Sequence, residues 1–573
     1  MYKAPIADYD FLYSEVLGSD ILEVVTDGEL KASDAHEVLT AAAEFAIDKL
    51  HPLNVVGDRV GSVLSDGVVR TPAGYQDAYR SLAGAGWIGF GLESEIGGEG
   101  APFLLRQAVM ELWFAANPAF SLCWLLSTGA AAALNAVASP ELKDVYLSKI
   151  ASGEWTGTMN LTESEAGTDL SAIRTNARPN WDGTWAVTGQ KIFITWGDHD
   201  LTDNIVHLVL ARTPDAPPGL GGLSLFVVPK FLVDSEGGIA ERNRVTTVAL
   251  EHKLGLHVSP TCVLDYADAT GYLVGDLHRG LAAMFIMMNN ARIGIGLQGL
   301  GLADLAYQEA RDYAQQRVQG MVVGRPAGTP IAGHPDVARL LLSMSSSISA
   351  MRGFSMQVAE WLDRTQRSDS PEAGQLADFC VPVLKGWFTE EAVRIASDGV
   401  QIYGGMGFIE EAGAAQHYRD ARITPIYEGT TAIQANDLIG RKLVRDDGAT
   451  ARRFFELIDS SLAPLRSGGH PVAARTAERL ERALRTARET TQALLSLAAA
   501  NPRDAYAGSV SYLTLLSLLA GAWMHGRMVT AVLAHTELSA ADRQRLIEAD
   551  FYGAHHLSRV HALAEAISAG ELV

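Results

Sequence analysis

Apolar residues fall at two spacings along this chain, and the change from one to the other divides it. From about Asp34 to Ser152 they recur at helical intervals. The run Phe120 to Val137 is uncharged and rich in Leu and Ala, the composition of a helix buried on most sides. Gly97-Gly98 and Pro102 bracket a loop, and Ser139-Pro140-Glu141 reads as a helix start with proline at its first position. The spacing then shortens. Trp185 to Thr188, Lys191 to Thr195, Ile205 to Ala211 and Leu223 to Val228 are β-branched or aromatic runs separated by turn residues. Asp182-Gly183, just ahead of the first run, predicts a type I′ hairpin turn, which needs positive φ at both centres.

Helical spacing returns from about Leu281. Val337, Leu340, Leu341, Met344, Ile348 and Met351 form the stripe of a helix with one buried face, and long helices are predicted at Leu281 to Gln316 and Asp378 to Tyr403. Arg445-Asp446-Asp447-Gly448 reads as a linker. Four helical stretches are expected beyond it, broken at Gly468-Gly469 and Asn501-Pro502. The fold class is therefore mainly α with a central all-β domain. Its sections are an N-terminal helical domain (1–155), a β-domain (156–275), a helical bundle (276–444) and an additional helical domain (445–573). No glycine-rich strand-to-helix fingerprint of a dinucleotide-binding parallel sheet occurs, so a nucleotide cofactor must be held another way.

Composition narrows the classes. At 573 residues and 48% hydrophobic, the chain is too long for one core and apolar enough for several. Its 46 basic and 67 acidic residues give a formal charge of -21, which argues against nucleic acid or an anionic membrane as partner, since both need dense positive charge. Cys123, Cys262 and Cys380 are scattered and not in a metal-ligand spacing, so no metal is expected and a reducing cytoplasm fits. The N-terminal residues show neither an apolar signal core nor an arginine-rich transit pattern, and apolar stretches such as Leu513 to Met528 are read as falling short of a membrane span.

Two motifs carry a resemblance. Met159-Asn160-Leu161-Thr162-Glu163-Ser164-Glu165-Ala166-Gly167-Thr168-Asp169 resembles the flavin-binding signature of acyl-CoA dehydrogenases. Gly404-Gly405-Met406-Gly407-Phe408, followed by Ile426-Tyr427-Glu428-Gly429-Thr430-Thr431, resembles the second signature of that family, and the two occur in the family's order. Further stretches, Asn204 to Arg212, Leu225 to Lys230, Glu251 to Gly255 and Thr430 to Lys442, resemble the long subfamily with an extra C-terminal helical domain.

The resemblance implies non-covalent FAD, an acyl-CoA substrate, an electron transfer flavoprotein as acceptor, and a homodimer or dimer of dimers. It assigns Glu428 as the base that removes the α proton of the thioester, with the β hydride passing to flavin N5. The thioester oxygen would be held by the Glu428 backbone N–H and a ribityl hydroxyl. One such donor is worth roughly 3–4 kcal/mol of barrier and a positioned base about 10²–10⁴ in rate. By the same resemblance, Met159, Leu161, Thr162, Thr168, Phe193, Thr195 and Thr430 bind the cofactor. Arg317, Gln401, Gly404 and Gly405 reach the cofactor of a neighbouring subunit, while Arg292, Tyr427 and Gly429 bind substrate. Four departures touch the pocket: Ser164-Glu165 in place of a Pro-Gly-like pair, Gln319-Gly320 where Phe-Gly is common, Trp196 beside the flavin, and Pro260. Three alternatives use the same fold: an oxidase reducing oxygen, an enzyme acting on an acyl-carrier-protein thioester, and a non-catalytic nucleic-acid-binding flavoprotein, against which the acidic charge and intact Tyr427-Glu428-Gly429 weigh.

Overall fold

The computed structural model describes residues 2–368 and 370–572. Its longer elements are helices up to Ala151, strands between Trp155 and Val274, and helices from Gly280 onward. A small hairpin, Val63–Ser65 with Val68–Arg70, interrupts the first helical section. The chain groups into two compact units. One comprises Phe45–Ala101 and Ala116–Gly294; the other comprises the chain up to Glu44, Pro102–Ala115 and everything from Ile295 on.

In the first unit, strands Thr261–Val274, Trp185–Thr195, Asn176–Pro179, Asn204–Arg212 and Leu223–Pro229 pair in that order, and the last pairs back on the first. The result is a closed barrel, which leaves few free edges. Strand alternation fills both of its faces. Val209, Ala211, Phe226 and Val228 belong to one core, whereas Leu208, Leu210, Leu225 and Val227 pack with Ala130, Leu134 and Ile150 of the helices Pro118–Val137 and Pro140–Ala151. Asn117 caps the first of these helices, accepting from the Phe120 N–H at 3.1 Å, and Ser139 caps the second with Pro140 behind it. The strand Trp155–Asn160 pairs in parallel with Asn204–Arg212. It approaches the helix closely at Gly157, where a Cβ would stand 2.4 Å from that of Ala130.

The expected hairpin forms between Asn176–Pro179 and Trp185–Thr195, but its turn is not type I′. Of its two predicted centres only Gly183 has positive φ, at 87°. The Asp182 carboxylate accepts from the Thr184 N–H at 3.0 Å, an Asx-type turn that leaves Asp182 out of the left-handed region.

The second unit is a helical assembly. Pro335–Arg367 and Pro371–Tyr403 pack with Ser509–Val532 at glycines: a Cβ on Gly353 would lie 2.8 Å from Met528 Cε, and one on Gly386 would lie 2.9 Å from the Leu513 methyls. Among the described residues after 445 there are seven α-helices, and two short 3-10 turns, rather than four helical stretches, because single residues such as Ser461 and Gly508 suffice to separate them. The apolar stretch around Leu513 is also longer than its sequence suggests. Ser509–Val532, Pro118–Val137 and Gly280–Gln316 are long and apolar enough to cross a membrane by length and composition, but 83%, 72% and 61% of their most apolar windows are buried inside the protein.

The N-terminal segment is tied into this unit by charge. The fully buried guanidinium of Arg352 meets Glu111 at 2.6 Å, Asp8 at 3.1 Å and Asp304 at 3.3 Å. The Tyr9 hydroxyl donates to Glu111, and Arg545 holds the other oxygen of Asp8 at 3.1 Å. Burial pushes the Asp304 carboxyl up to about 6 against the opposing pull of Arg352.

Candidate active site

Within the barrel unit the first signature follows the strand Trp155–Asn160 and forms a loop anchored by one carboxylate. Glu163 accepts from the N–H groups of Arg174 (2.7 Å) and Thr175 (3.1 Å), from the Thr175 hydroxyl (2.6 Å) and from Lys191 Nζ (2.8 Å). Lys191 is wholly buried and also donates to the Leu161 carbonyl at 2.9 Å. Burial lowers the Lys191 ammonium to about 8 despite Glu163. For Glu163, burial is outweighed by Lys191, the Thr175 hydroxyl and the Arg174 N–H, which hold the carboxyl below its usual range.

The Ile192 N–H donates to the Thr162 carbonyl at 2.9 Å, which sets Thr162 beside the strand Trp185–Thr195 where that strand bulges. At the bulge Phe193 has φ 57° and stands 58% exposed. A left-handed aromatic is a genuine outlier, and such strain persists where the surroundings over-determine it. Trp196, the unusual residue two positions past Ile194, is also left-handed at φ 51°. Its ring is buried, with Nε1 donating to the Ala119 carbonyl at 3.0 Å, so it packs on the start of Pro118–Val137. The hydroxyls of Thr162, Thr168 and Thr195 have no hydrogen-bond partner among the described residues. Leu161 and Arg292 are buried and Met159 half-buried.

Within the helical unit the second signature places Glu428 in a loop between Ala414–Ala421 and Thr431–Asp437. Glu428 has φ 54° and Gly429 φ 90°, two left-handed residues in succession. Thr430 caps the following helix, its hydroxyl accepting from the Ile433 N–H at 3.3 Å. Gln434 Nε2 donates to the Glu428 carbonyl at 3.0 Å, and Lys385 Nζ donates to the carbonyls of Thr424 (2.9 Å) and Gly429 (2.7 Å). The Tyr427 hydroxyl donates to Gln298. Burial, and then Glu428, raise that phenol well above its ordinary range.

Arg317, Gln401, Gly404 and Gly405 come together at one end of this unit. Tyr313 and Tyr403 stack at 4.1 Å, joining the ends of Gly280–Gln316 and Pro371–Tyr403, and all four residues are exposed there. Gly404 has φ 62°, and nothing lies within 4 Å of a Cβ at either glycine. Among the described residues no group of three or more His, Cys, Asp or Glu could hold a metal. Sequence reasoning missed Lys191, Lys385 and Gln434. The one available signal was a lysine inside an apolar run, as in Val383-Leu384-Lys385-Gly386-Trp387-Phe388.

Comparison with known proteins agrees with this arrangement along nearly the whole chain. Residues 34–154, 158–269 and 278–443 match the N-terminal, middle and C-terminal domains of acyl-CoA dehydrogenase, and 454–573 match an acetyl-CoA dehydrogenase C-terminal-like domain. The chain belongs to the acyl-CoA dehydrogenase family of oxidoreductases, in the form that carries an extra C-terminal helical domain. It is 46% identical over 554 residues, 96% of this chain and 94% of the relative, to 3-methylmercaptopropionyl-CoA dehydrogenase of Ruegeria pomeroyi. It is 36% identical over 486 residues, 80% of this chain and 79% of the relative, to a broad-specificity linear acyl-CoA dehydrogenase of Mycobacterium tuberculosis. An acyl-CoA dehydrogenase of Bacillus anthracis, solved with FAD, shares the fold with TM-score 0.76 at 21% identity, over 93% of this chain and 88% of that one.

Proposed function

We propose that this chain carries out FAD-dependent α,β-dehydrogenation of an acyl-CoA thioester, with Glu428 as the base that removes the α proton. The observation that carries the reading is the strained Glu428 loop: a carboxylate on a left-handed backbone, fixed by donors to the carbonyls of Thr424, Glu428 and Gly429, in a chain of this family. Positioning a base in this way is worth about 10²–10⁴ in rate. FAD, when bound, supplies the acceptor for the β hydride.

The barrel unit offers a fitting place for that group. An exposed ring at Phe193 and unclaimed hydroxyls at Thr162, Thr168 and Thr195 suit a flat aromatic edge and phosphate oxygens, with backbone N–H groups of the anchored loop alongside. Arg317 with Gly404 and Gly405 presents a forked cation beside open backbone, which suits the pyrophosphate of a cofactor held by a second copy of the chain. Electrons would leave to an electron transfer flavoprotein. Identity of 46% over almost the full length makes a short thioester with a sulfur at its third carbon, as in the name of the Ruegeria relative, the first substrate to try.

The test is anaerobic titration of purified enzyme with a panel of acyl-CoAs, 3-methylmercaptopropionyl-CoA included, while the flavin absorbance is followed. Bleaching is expected in the parent. Glu428→Gln should keep the flavin and still bind acyl-CoA but lose at least about 10² in the bleaching rate. Reduction of Glu428→Gln at the parent rate would assign the base elsewhere.

A further inference from the structure

We propose that Lys385 and Gln434 are positioning residues for the reaction, which hold the backbone on either side of Glu428 so that its carboxylate keeps one aim. This rests on the reading of Glu428 as the base. The loop from Thr424 to Thr431 is a near-closed ring. At its mouth the Lys385 ammonium bridges the carbonyls of Thr424 and Gly429, five residues apart, at 2.9 and 2.7 Å. The Thr431 N–H donates to the Pro425 carbonyl at 3.1 Å, and the Thr431 hydroxyl to Glu390 at 2.6 Å. Lys385 and Glu390 both stand on Pro371–Tyr403, so one rigid helix grips both ends of the loop. From the other side Gln434 donates to the Glu428 carbonyl at 3.0 Å and the Gly429 carbonyl at 3.4 Å. Lys385 and Gln434 are both at 0% exposure, so these contacts are made with little competition from water.

The chemistry explains why such donors are placed here. A glutamate at φ 54° followed by glycine at φ 90° is a conformation that L side chains disfavour, and without restraint the peptide between them would rotate. Its carbonyl is the atom that Gln434 holds, and the next carbonyl is shared by Gln434 and Lys385. Release of these carbonyls would let the backbone at Glu428 leave its left-handed conformation and redirect the side chain, and a misplacement of about 1 Å costs on the order of 10²-fold in rate. Lys385 and Gln434 act on the backbone of Glu428 and not on substrate.

The experiment is a cycle in the holoenzyme: parent, Lys385→Met, Glu428→Gln and the double variant, with Gln434→Met as a second route should Lys385→Met fail to fold. The readouts are flavin reduction, exchange of the acyl-CoA α proton with solvent, and amide exchange of residues 424–431 without cofactor or substrate. Lys385→Met is expected to slow α-proton exchange about 10- to 100-fold, to lower kcat with little change in KM, and to speed amide exchange in 424–431. In the Glu428→Gln background it should cause no further loss, since no base is left to aim. Gln434→Met should act in the same direction. Parent rates in Lys385→Met or Gln434→Met, or full additivity of Lys385→Met with Glu428→Gln, would overturn the proposal. If Glu428→Gln itself runs at the parent rate, the base assignment fails first and the positioning role falls with it, an outcome distinct from the other two.

Discussion

Replacing Glu163 by alanine tests whether one carboxylate holds the first signature loop. Four donors lose their acceptor at once: the N–H groups of Arg174 and Thr175, the Thr175 hydroxyl and Lys191 Nζ. Hydrogen bonds to a charged acceptor contribute about 1.5–3 kcal/mol each, but water can reach the exposed Arg174 side and recover part. Lys191 needs separate treatment. Burial already lowers its ammonium to about 8, and loss of the Glu163 charge lowers it further, so release of its proton relieves part of the cost at Lys191. The surviving cost is the loss at Arg174 and Thr175, about 3 kcal/mol, equivalent to roughly 10²-fold more opening. Because the cost is local, the assay is amide exchange resolved at Arg174 and Thr175, together with FAD retention on gel filtration. Both amides should exchange about 10²-fold faster in Glu163→Ala, and Glu163→Gln, which keeps one acceptor oxygen, should fall between. Parent-like protection at the two amides would refute the anchoring argument whatever happened to activity.

Two other expectations are independent of catalysis. The Asp363 carboxylate accepts from the N–H groups of Phe103 (2.7 Å) and Leu104 (3.0 Å), and burial pushes it up to about 6. Its proton-linked contribution is therefore fully present below the unfolded value near 3.8 and is lost as pH rises through about 6. The Tm deficit of Asp363→Asn, measured from pH 7.5 down to 4.5, should accordingly widen toward acid; a constant deficit would contradict this. Gly157→Ala would set two methyl carbons 2.4 Å apart, and the strand must move off Pro118–Val137. A loss of about 1–3 kcal/mol is expected in thermal or denaturant unfolding, and a neutral result would mean that this contact yields easily.

The sequence reading succeeded where a signal is local and failed where it is made by residues far apart. Ser139-Pro140 announces a helix by the geometry of its own first turn, and it caps Pro140–Ala151 as expected. The barrel strands Asn204–Arg212 and Leu223–Pro229 are legible as short, nearly continuous apolar runs because both of their faces are buried. Asp182-Gly183 marks the hairpin correctly but not its turn type, which the Asp182 side chain decides by bonding to Thr184. The motifs mark Glu428 and the threonines, yet nothing in them reveals that Glu428, Phe193 and Trp196 are all left-handed. That strain is imposed by tertiary contacts such as the one from Lys385, about forty positions before the loop it grips. A buried lysine also runs against expectation from composition, since an isolated one would be exposed.

The ionic cluster around Asp8 bears on the order in which the chain can be completed. Asp8 is synthesised 537 positions ahead of its partner Arg545. At about 5–20 residues per second the wait is on the order of half a minute to two minutes. Through that interval Tyr9, Tyr13 and Glu111, all destined for a dry interior, lack their full surroundings, because Arg352 itself arrives 344 positions after Asp8. The helical unit is thus closed late, by segments hundreds of positions downstream of the one they join. A nascent or truncated chain that ends before Ser509–Val532 and Ala540–His555 would expose the faces of Gly353 and Gly386 against which Met528 and Leu513 close. Production of this protein should therefore depend more on protecting the unfinished chain than on the strength of the finished one.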